Sequence, residues 1–534
     1  MSLLKIRNAL FVAETRKLAA HKYVFSNPIQ KFDIEEPNTG SKKAFFAITG
    51  PEKSNLLNII AAKYIPEPPL GRVYPQFNDI HRSDQIQHLN FRENSGLDKV
   101  HMAARYESYS YKGVLEMKDD VNSVINYVTG ANNYNSNTAV SQEDGYVEKL
   151  CDYFNLNHLR NKWINSLSNG QMRRARISKA LINKPRLIVI DDPFLGLDPQ
   201  ATKKVSDSLR RIALELNAGV VLGLRVQDPV PEWIDNLGYV DESGLTVCGP
   251  KVTASEAIVE KHKDVLMLHK RRQAESARIA FKEVAPGAVN EVVDPIVEFN
   301  KAFVKYRGLD VLKDFTWKIQ RGSRWRILGE NGSGKTTILS LITADHPQSW
   351  RSVISIDGKL RKTGQGVSYF DVNNRIGISS PELHATVPPR AKALDVVYNG
   401  LVRDIGNSNF KFIYKHKGPL PDEAQKLLQE FAQELAPLEH KRFFELSVSQ
   451  QKLVLFLRAA IKNPDILILD EAFSCMDEEA LMHKCHNYIA SNMKTTTVLA
   501  IGHIDWEVPA HEHVIKLHGD SSRQYSFATK TTGP

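Results

Sequence analysis

Gly329-Glu330-Asn331-Gly332-Ser333-Gly334-Lys335-Thr336-Thr337 follows the apolar run Trp325-Arg326-Ile327-Leu328 and precedes the helix-forming stretch 338–342. The spacing is G-x-x-x-x-G-K-[ST], a phosphate-binding loop in its proper strand–loop–helix setting. Gly332 and Gly334 let backbone N–H groups close around phosphate oxygens, and the helix N-terminus adds partial positive charge. Lys335 is placed to reach the β- and γ-phosphates, and the Thr336 hydroxyl to ligate Mg2+. At average composition the pattern arises by chance in roughly 2% of chains of this size. Residues 329–337 therefore imply a bound nucleoside triphosphate.

The chain has 534 residues, too many for one core, and an ordinary globular make-up of 42% apolar and 25% charged residues. Cys151, Cys248, Cys475 and Cys485 have neither disulfide-framework nor metal-site spacing, which points to a reducing compartment. A net charge of +9 permits contact with RNA or an anionic membrane without arguing for either. No apolar run approaches the roughly eighteen residues needed to span a bilayer, so the chain is not expected to form a membrane channel itself. A cytoplasmic location follows. The alternative is mitochondrial, since Lys5, Arg7, Arg16, Lys17 and Lys22 weigh against Glu14 alone in the first thirty residues, weakly like a presequence. The competing reading of 3–11 as a first strand is preferred.

The chain repeats itself. Leu167-Ser168-Asn169-Gly170-Gln171 precedes Leu187-Ile188-Val189-Ile190-Asp191-Asp192, and Leu446-Ser447-Val448-Ser449-Gln450 precedes Ile466-Leu467-Ile468-Leu469-Asp470-Glu471. Leu167 to Asp191 covers 24 positions, as does Leu446 to Asp470; Asp198 and Asp477 each follow seven later, so the landmarks share an offset of 279. Domain one is expected at 1–260, a basic helical linker at 261–290, and domain two at 291–534. Alternating aliphatic strands and helices point to an α/β parallel sheet in each half, with room for a helical subdomain between loop and L-S-x-x-Q.

A phosphate loop, L-S-x-x-Q, an aliphatic strand ending in D-E, a following aspartate and a later histidine together resemble the ATP-binding-cassette (ABC) ATPases, over nearly the whole chain. The resemblance implies two P-loop cassettes forming an intramolecular head-to-tail dimer, each ATP lying between the loop of one and the signature of the other. It implies that Asp470 and Thr336 hold Mg2+, that Glu471 polarises the attacking water, and that His503 contacts the γ-phosphate. Tyr306 falls where the family has an adenine-stacking aromatic. Taken alone, His503 and Tyr306 read as an ordinary loop histidine and an ordinary core tyrosine; their register with the loop gives them site roles. The glutamine expected after Arg375-Ile376-Gly377-Ile378 is absent, and Ser380 and Glu382 are the candidates to replace it.

Domain one departs further from the family. Thr49-Gly50-Pro51-Glu52-Lys53-Ser54 makes a loop three residues short, its acidic pair is Asp191-Asp192, and Arg225 stands at the histidine position. Its signature keeps Ser168, Gly170 and Gln171, whereas Ser447-Val448-Ser449-Gln450 lacks both glycines. Intact parts thus meet intact parts: domain two's loop, Asp470, Glu471 and His503 with domain one's Ser168, Gly170 and Gln171. One hydrolytic ATP site and one degenerate site are expected.

The absence of a cysteine-rich cluster domain, a long coiled coil and zinc insertions turns the reading away from ribosome-recycling and repair ATPases. The chain is similar to tandem cassettes of the molybdate-locus and photorepair-associated kind, through the S-P-E-L-H element at 380–384. The stretch 102–107 suggests a fungal branch of them. ATP would then drive a separate membrane permease or a regulatory protein partner. The other reading is a translation-factor-like ATPase acting on ribosomes.

Overall fold

A computed structural model describes the chain apart from residues 13–22, 40–41, 78–81, 92–122, 132–144, 163, 165–166, 168, 195–196, 198, 268–269, 272–280, 285–293, 307–308, 331–332, 363, 365–367, 403–411, 413–417, 475, 477–478, 503, 520–522 and 532–534. Two compact units are present. Unit one takes in Met1–Glu93 and Leu115–Arg271, and unit two contains Arg272–Pro534.

Each unit is built on a mostly parallel sheet. In unit one the strand order is Gly244–Pro250, Asn236–Asp241, Phe45–Thr49, Gly219–Gly223, Leu187–Asp191, Ile86–Asn90. In unit two it is Phe281–Val284, Tyr525–Lys530, His513–Leu517, Arg324–Gly329, Thr497–Ile501, Ile466–Asp470, Ile376–Ser379. Apart from the extra first strand of unit two, the two orders coincide. The central strands are aliphatic along their whole length because helices cover both faces: every residue of Leu187–Asp191 and of Ile466–Asp470 is buried. Burying each such Leu, Ile or Val contributes about 1.5–3 kcal/mol. A four-stranded antiparallel sheet accompanies each parallel one, built around Ser2–Val12 in unit one and Val297–Tyr306 in unit two.

Residues 3–11 lie within the strand Ser2–Val12, which pairs antiparallel with Ile29–Glu35 and buries Leu3, Leu4 and Ile6 completely. Between phosphate loop and signature, unit two inserts the helices Tyr369–Asn374, Pro381–Thr386, Ala393–Asn399 and Asp422–Glu430. Unit one has Val124–Thr129 and Tyr146–Tyr153 in the corresponding interval.

The stretch 261–290, expected to be a basic helical linker, is not helical throughout among its described residues. Lys251–Lys261 is a helix, but Phe281–Val284 is a strand, antiparallel to Tyr525–Lys530 at the edge of unit two's sheet. Phe281 and Val284 are half-buried and Lys282 and Glu283 exposed, and Phe281 stacks on His511 at 5.6 Å.

Candidate active site

In unit two the strand Arg324–Gly329 delivers the chain to the phosphate loop, and the helix Lys335–Ile342 leaves it. Gly329 has φ +151°, and a Cβ there would lie 2.4 Å from Ser333 Oγ and 2.7 Å from the Leu517 carbonyl. Gly334 caps the helix in the left-handed region at φ +99°. Both positions require glycine. Lys335 Nζ donates to the Gly329 carbonyl at 2.6 Å and the Glu330 carbonyl at 2.9 Å, so its ammonium rests against the loop itself. Burial pulls its pKa below the usual lysine range, opposed by the charges of Glu471, Asp470 and Glu330.

Asp470 ends the neighbouring buried strand and is 6% exposed. Thr336 Oγ1 donates to its Oδ2 at 3.4 Å. Burial pushes the Asp470 carboxyl well above the ordinary range; the charges of Glu382 and Glu471 raise it further, against Lys335 and the Thr336 hydrogen bond. Glu471 adopts φ +47°. Its N–H donates to the Ile501 carbonyl at 2.9 Å and its carbonyl accepts from Lys452 Nζ at 2.9 Å, so backbone bonds on two sides hold this strained residue at the strand end.

The two candidates for the absent glutamine separate. Ser380 accepts from the Leu383 N–H at 3.1 Å and caps the helix Pro381–Thr386, a structural task. Glu382 lies in that helix's first turn, beyond a strand whose Ser379 pairs with Leu469, and its charge acts on Asp470 ahead of that of Glu471. The parallel pairing of Ile376–Ser379 with Ile466–Asp470 brings the two segments to one sheet end, which their sequence separation does not indicate. Oxygen donors at Thr336 and Asp470, with carboxylate charge around them, fit Mg2+, which takes few protein ligands and completes its shell with phosphate and water. Among the described residues no three His, Cys, Asp or Glu side chains are grouped so as to hold a metal by themselves.

Asn331, Gly332, Ser168 and His503, together with Asp198, Asp477 and the 102–107 stretch, lie outside the described residues. Tyr306 ends the strand Val297–Tyr306, but its side chain is also outside the description.

Unit one uses the same scaffold differently. Phe45–Thr49 leads through Gly50 into the helix Lys53–Ile60. Lys53 Nζ donates to Asp191 Oδ1 at 2.6 Å and Asp192 Oδ1 at 2.7 Å, and the Ser54 hydroxyl bonds Asp191 Oδ2. The three charged side chains are 5%, 1% and 0% exposed. Arg225 forms a two-pronged pair with Asp228, Nη2 to Oδ1 at 2.7 Å and Nε to Oδ2 at 3.2 Å. Strand register equates the two units. Asp191 pairs with Gly223 and Asp470 with Ile501, so Arg225 and His503 each stand two positions beyond the partner of their acid.

The signatures begin helices in both units. In unit one Gly170 and Gln171 lie in the first turn of Asn169–Leu181. Among the described residues a Cβ at Gly170 would approach nothing closer than a Leu197 methyl at 3.4 Å, so neither its backbone conformation nor this packing demands a glycine, which costs helix stability. In unit two Ser447 and Gln450 cap the helix Val448–Ala460 reciprocally: the Ser447 hydroxyl accepts from the Gln450 N–H at 3.2 Å, and the Gln450 side chain from the Ser447 N–H at 3.1 Å.

A duplicated parallel sheet, each copy with a strand–loop–helix and a strand-end acidic pair, defines a tandem P-loop nucleotide-binding protein. The ABC transporter family model matches residues 39–195 and 312–474, and the chain belongs to that family. It is 34% identical to an ABC transporter ATP-binding protein of Saccharomyces cerevisiae, with 96% of each chain aligned. It is 28% identical to the ABC transporter ATP-binding protein ModF of Escherichia coli, over 68% of this chain and 71% of that one. Among solved structures, ribosome-bound archaeal Pelota and ABCE1 matches 90% of this chain and 73% of that one with a TM-score of 0.52 at 16% identity, a likeness of fold. The protein is an ATP-binding, ABC-type ATPase. No described helix is long and apolar enough to cross a membrane.

Proposed function

We propose that this tandem ABC ATPase hydrolyses ATP at one site, built on unit two, and couples it to a separate transport or regulatory partner. The observation that carries the reading is the contrast between the two loop lysines. Lys335 rests on loop carbonyls beside the acidic residues, whereas Lys53 is bound to both acids of its own unit.

In this reading residues 329–337 enclose the triphosphate, and Lys335 moves from the Gly329 and Glu330 carbonyls to the phosphates. Thr336 and Asp470 would hold Mg2+, which would offset charge developing on the phosphate oxygens. The Glu471 carboxylate orients and deprotonates the attacking water from the backbone position fixed by Ile501 and Lys452. His503 contacts the γ-phosphate, Tyr306 stacks on the base, and Ser168, Gly170 and Gln171 contribute to ATP binding. The glycine at 170, for which the described residues of unit one show no local need, supports a role in close approach to a ligand.

Transport or regulation is preferred to ribosome action because the relatives are named as ABC transporter ATP-binding proteins. Glu471→Gln is expected to lower turnover at least about 100-fold while retaining ATP binding, and Asp192→Asn to leave turnover per folded chain within about threefold. Comparable losses in the two would end the one-site reading. The Glu471→Gln chain held with ATP is expected not to co-sediment with ribosomal subunits; if it does, the translation-factor alternative replaces the transport one.

A further inference from the structure

Unit one keeps the outline of a metal–nucleotide site, and its residues do not fit that occupant. By strand register Asp191 is the counterpart of Asp470, and by helix position Ser54 is that of Thr336. In unit two hydroxyl and carboxylate stand 3.4 Å apart. In unit one the Ser54 hydroxyl is bonded directly to Asp191 Oδ2, while Lys53 Nζ takes up Asp191 Oδ1 and Asp192 Oδ1. Both oxygens of the would-be metal ligand are therefore engaged within the protein.

We propose that the Lys53 ammonium serves in unit one as a built-in cation in place of the divalent metal, so that unit one binds neither Mg2+ nor nucleotide and the chain takes up one ATP. This deepens the one-site reading, on which it rests for the site in unit two.

The short loop produces the arrangement. Gly50 at φ +108° lies so close to the neighbouring strand that a Cβ would fall 2.1 Å from the Val240 carbonyl, and Lys53 follows after only Pro51 and Glu52. The lysine thus enters the helix three residues sooner than Lys335 does, and its side chain meets the strand-end acids instead of curling back along a loop. For Lys53 to reach a phosphate it would have to leave two adjacent carboxylates buried without their cation, which such sites strongly resist. Glu52 adds a negative charge at the helix start, where a phosphate would have to sit. Arg225, two positions beyond the Gly223 partner of Asp191, is paired with Asp228, and the two side chains are 8% and 5% exposed. Lys53 and Arg225, the two cations described at this strand end, are thus both held by carboxylates of the same unit.

Equilibrium dialysis of the full-length Glu471→Gln chain with ATP and Mg2+ tests this with unit one in its native form. One nucleotide per chain is expected, and none once Lys335→Ala is added. Two per chain, or one that survives Lys335→Ala, overturns the proposal. Failure of the one-site reading would instead appear as continued hydrolysis by the Glu471→Gln chain. Mn2+ titration followed by electron paramagnetic resonance, without nucleotide, tests the cation directly. Lys53→Ala should gain a bound Mn2+ that a further Asp191→Asn removes, and no gain in a folded Lys53→Ala chain overturns the substitution of ammonium for metal.

Discussion

Lys53 and Lys335 each begin a helix of eight residues after a buried strand, yet one is clamped between two carboxylates and the other lies against two loop carbonyls. The surroundings of the two lysines are otherwise alike. Strand order is shared, and the second acid of each pair holds the same left-handed backbone, φ +53° at Asp192 and +47° at Glu471. Each also donates its N–H to the end of the adjacent strand, Asp192 to Gly223 and Glu471 to Ile501. Unit one retains this strained geometry without the glutamate that would exploit it. The scaffold constrains the backbone, and the loop length decides whether the lysine is available to a ligand or committed to the protein.

The sharpest way to break this comparison is to remove each lysine. Lys53→Met leaves Asp191 and Asp192 buried without their cation and should cost about 3–5 kcal/mol in urea unfolding. Lys335→Met should change stability far less but weaken ATP binding by about 100-fold, a loss of roughly 2.7 kcal/mol, read by fluorescence titration. Equal destabilisation by both would mean that Lys335 is as structural as Lys53.

A smaller effect is expected at Glu382, whose charge acts on Asp470. Glu382→Gln should weaken Mn2+ affinity of the ATP-bound chain by about 3–10-fold, the loss of one nearby carboxylate charge at an effective dielectric typical of such sites. Unchanged affinity would make Glu382 a bystander to the metal position.

The smallest difference should come from acid. Burial lowers the pKa of both His88, in unit one, and His384, in unit two, to about 4, with Lys63 adding to the first and Lys452 to the second. An unfolded histidine binds its proton near pH 6.5, so between about 4 and 6.5 the unfolded chain holds more protons than the folded one. Stability should therefore be level above this window and fall as pH drops through it. His88→Gln and His384→Gln should each flatten the slope in equilibrium unfolding followed from pH 8 to 4.5; an unchanged slope would show that the histidine is protonated in the folded chain.

Much of the architecture was legible because its signals are local. The buried strands read as uninterrupted aliphatic runs, the loop as glycines spaced before Lys335, and the duplication as a shared offset of 279. Phe281–Val284 was misread because a basic stretch with helix-forming residues carries no mark of the sheet edge that will accept it. The roles of Ser380 and Glu382 could not be separated in sequence, two positions apart; one caps a helix while the other places charge on a strand 88 residues later.

The sequence by itself determined that there are two cassettes and which one carries a complete phosphate loop, because glycine spacing and strand hydrophobicity act on the backbone nearby. It also showed that unit one had lost glycines and three loop residues. Only the tertiary structure decided what that loss produced. Lys53 and Asp191 are 138 positions apart, and nothing in the spacing of either indicates that they meet. Their contact depends on parallel strands bringing both chain segments to the same sheet end, and its hold on the lysine on burial, which leaves an uncompensated charge if either partner withdraws.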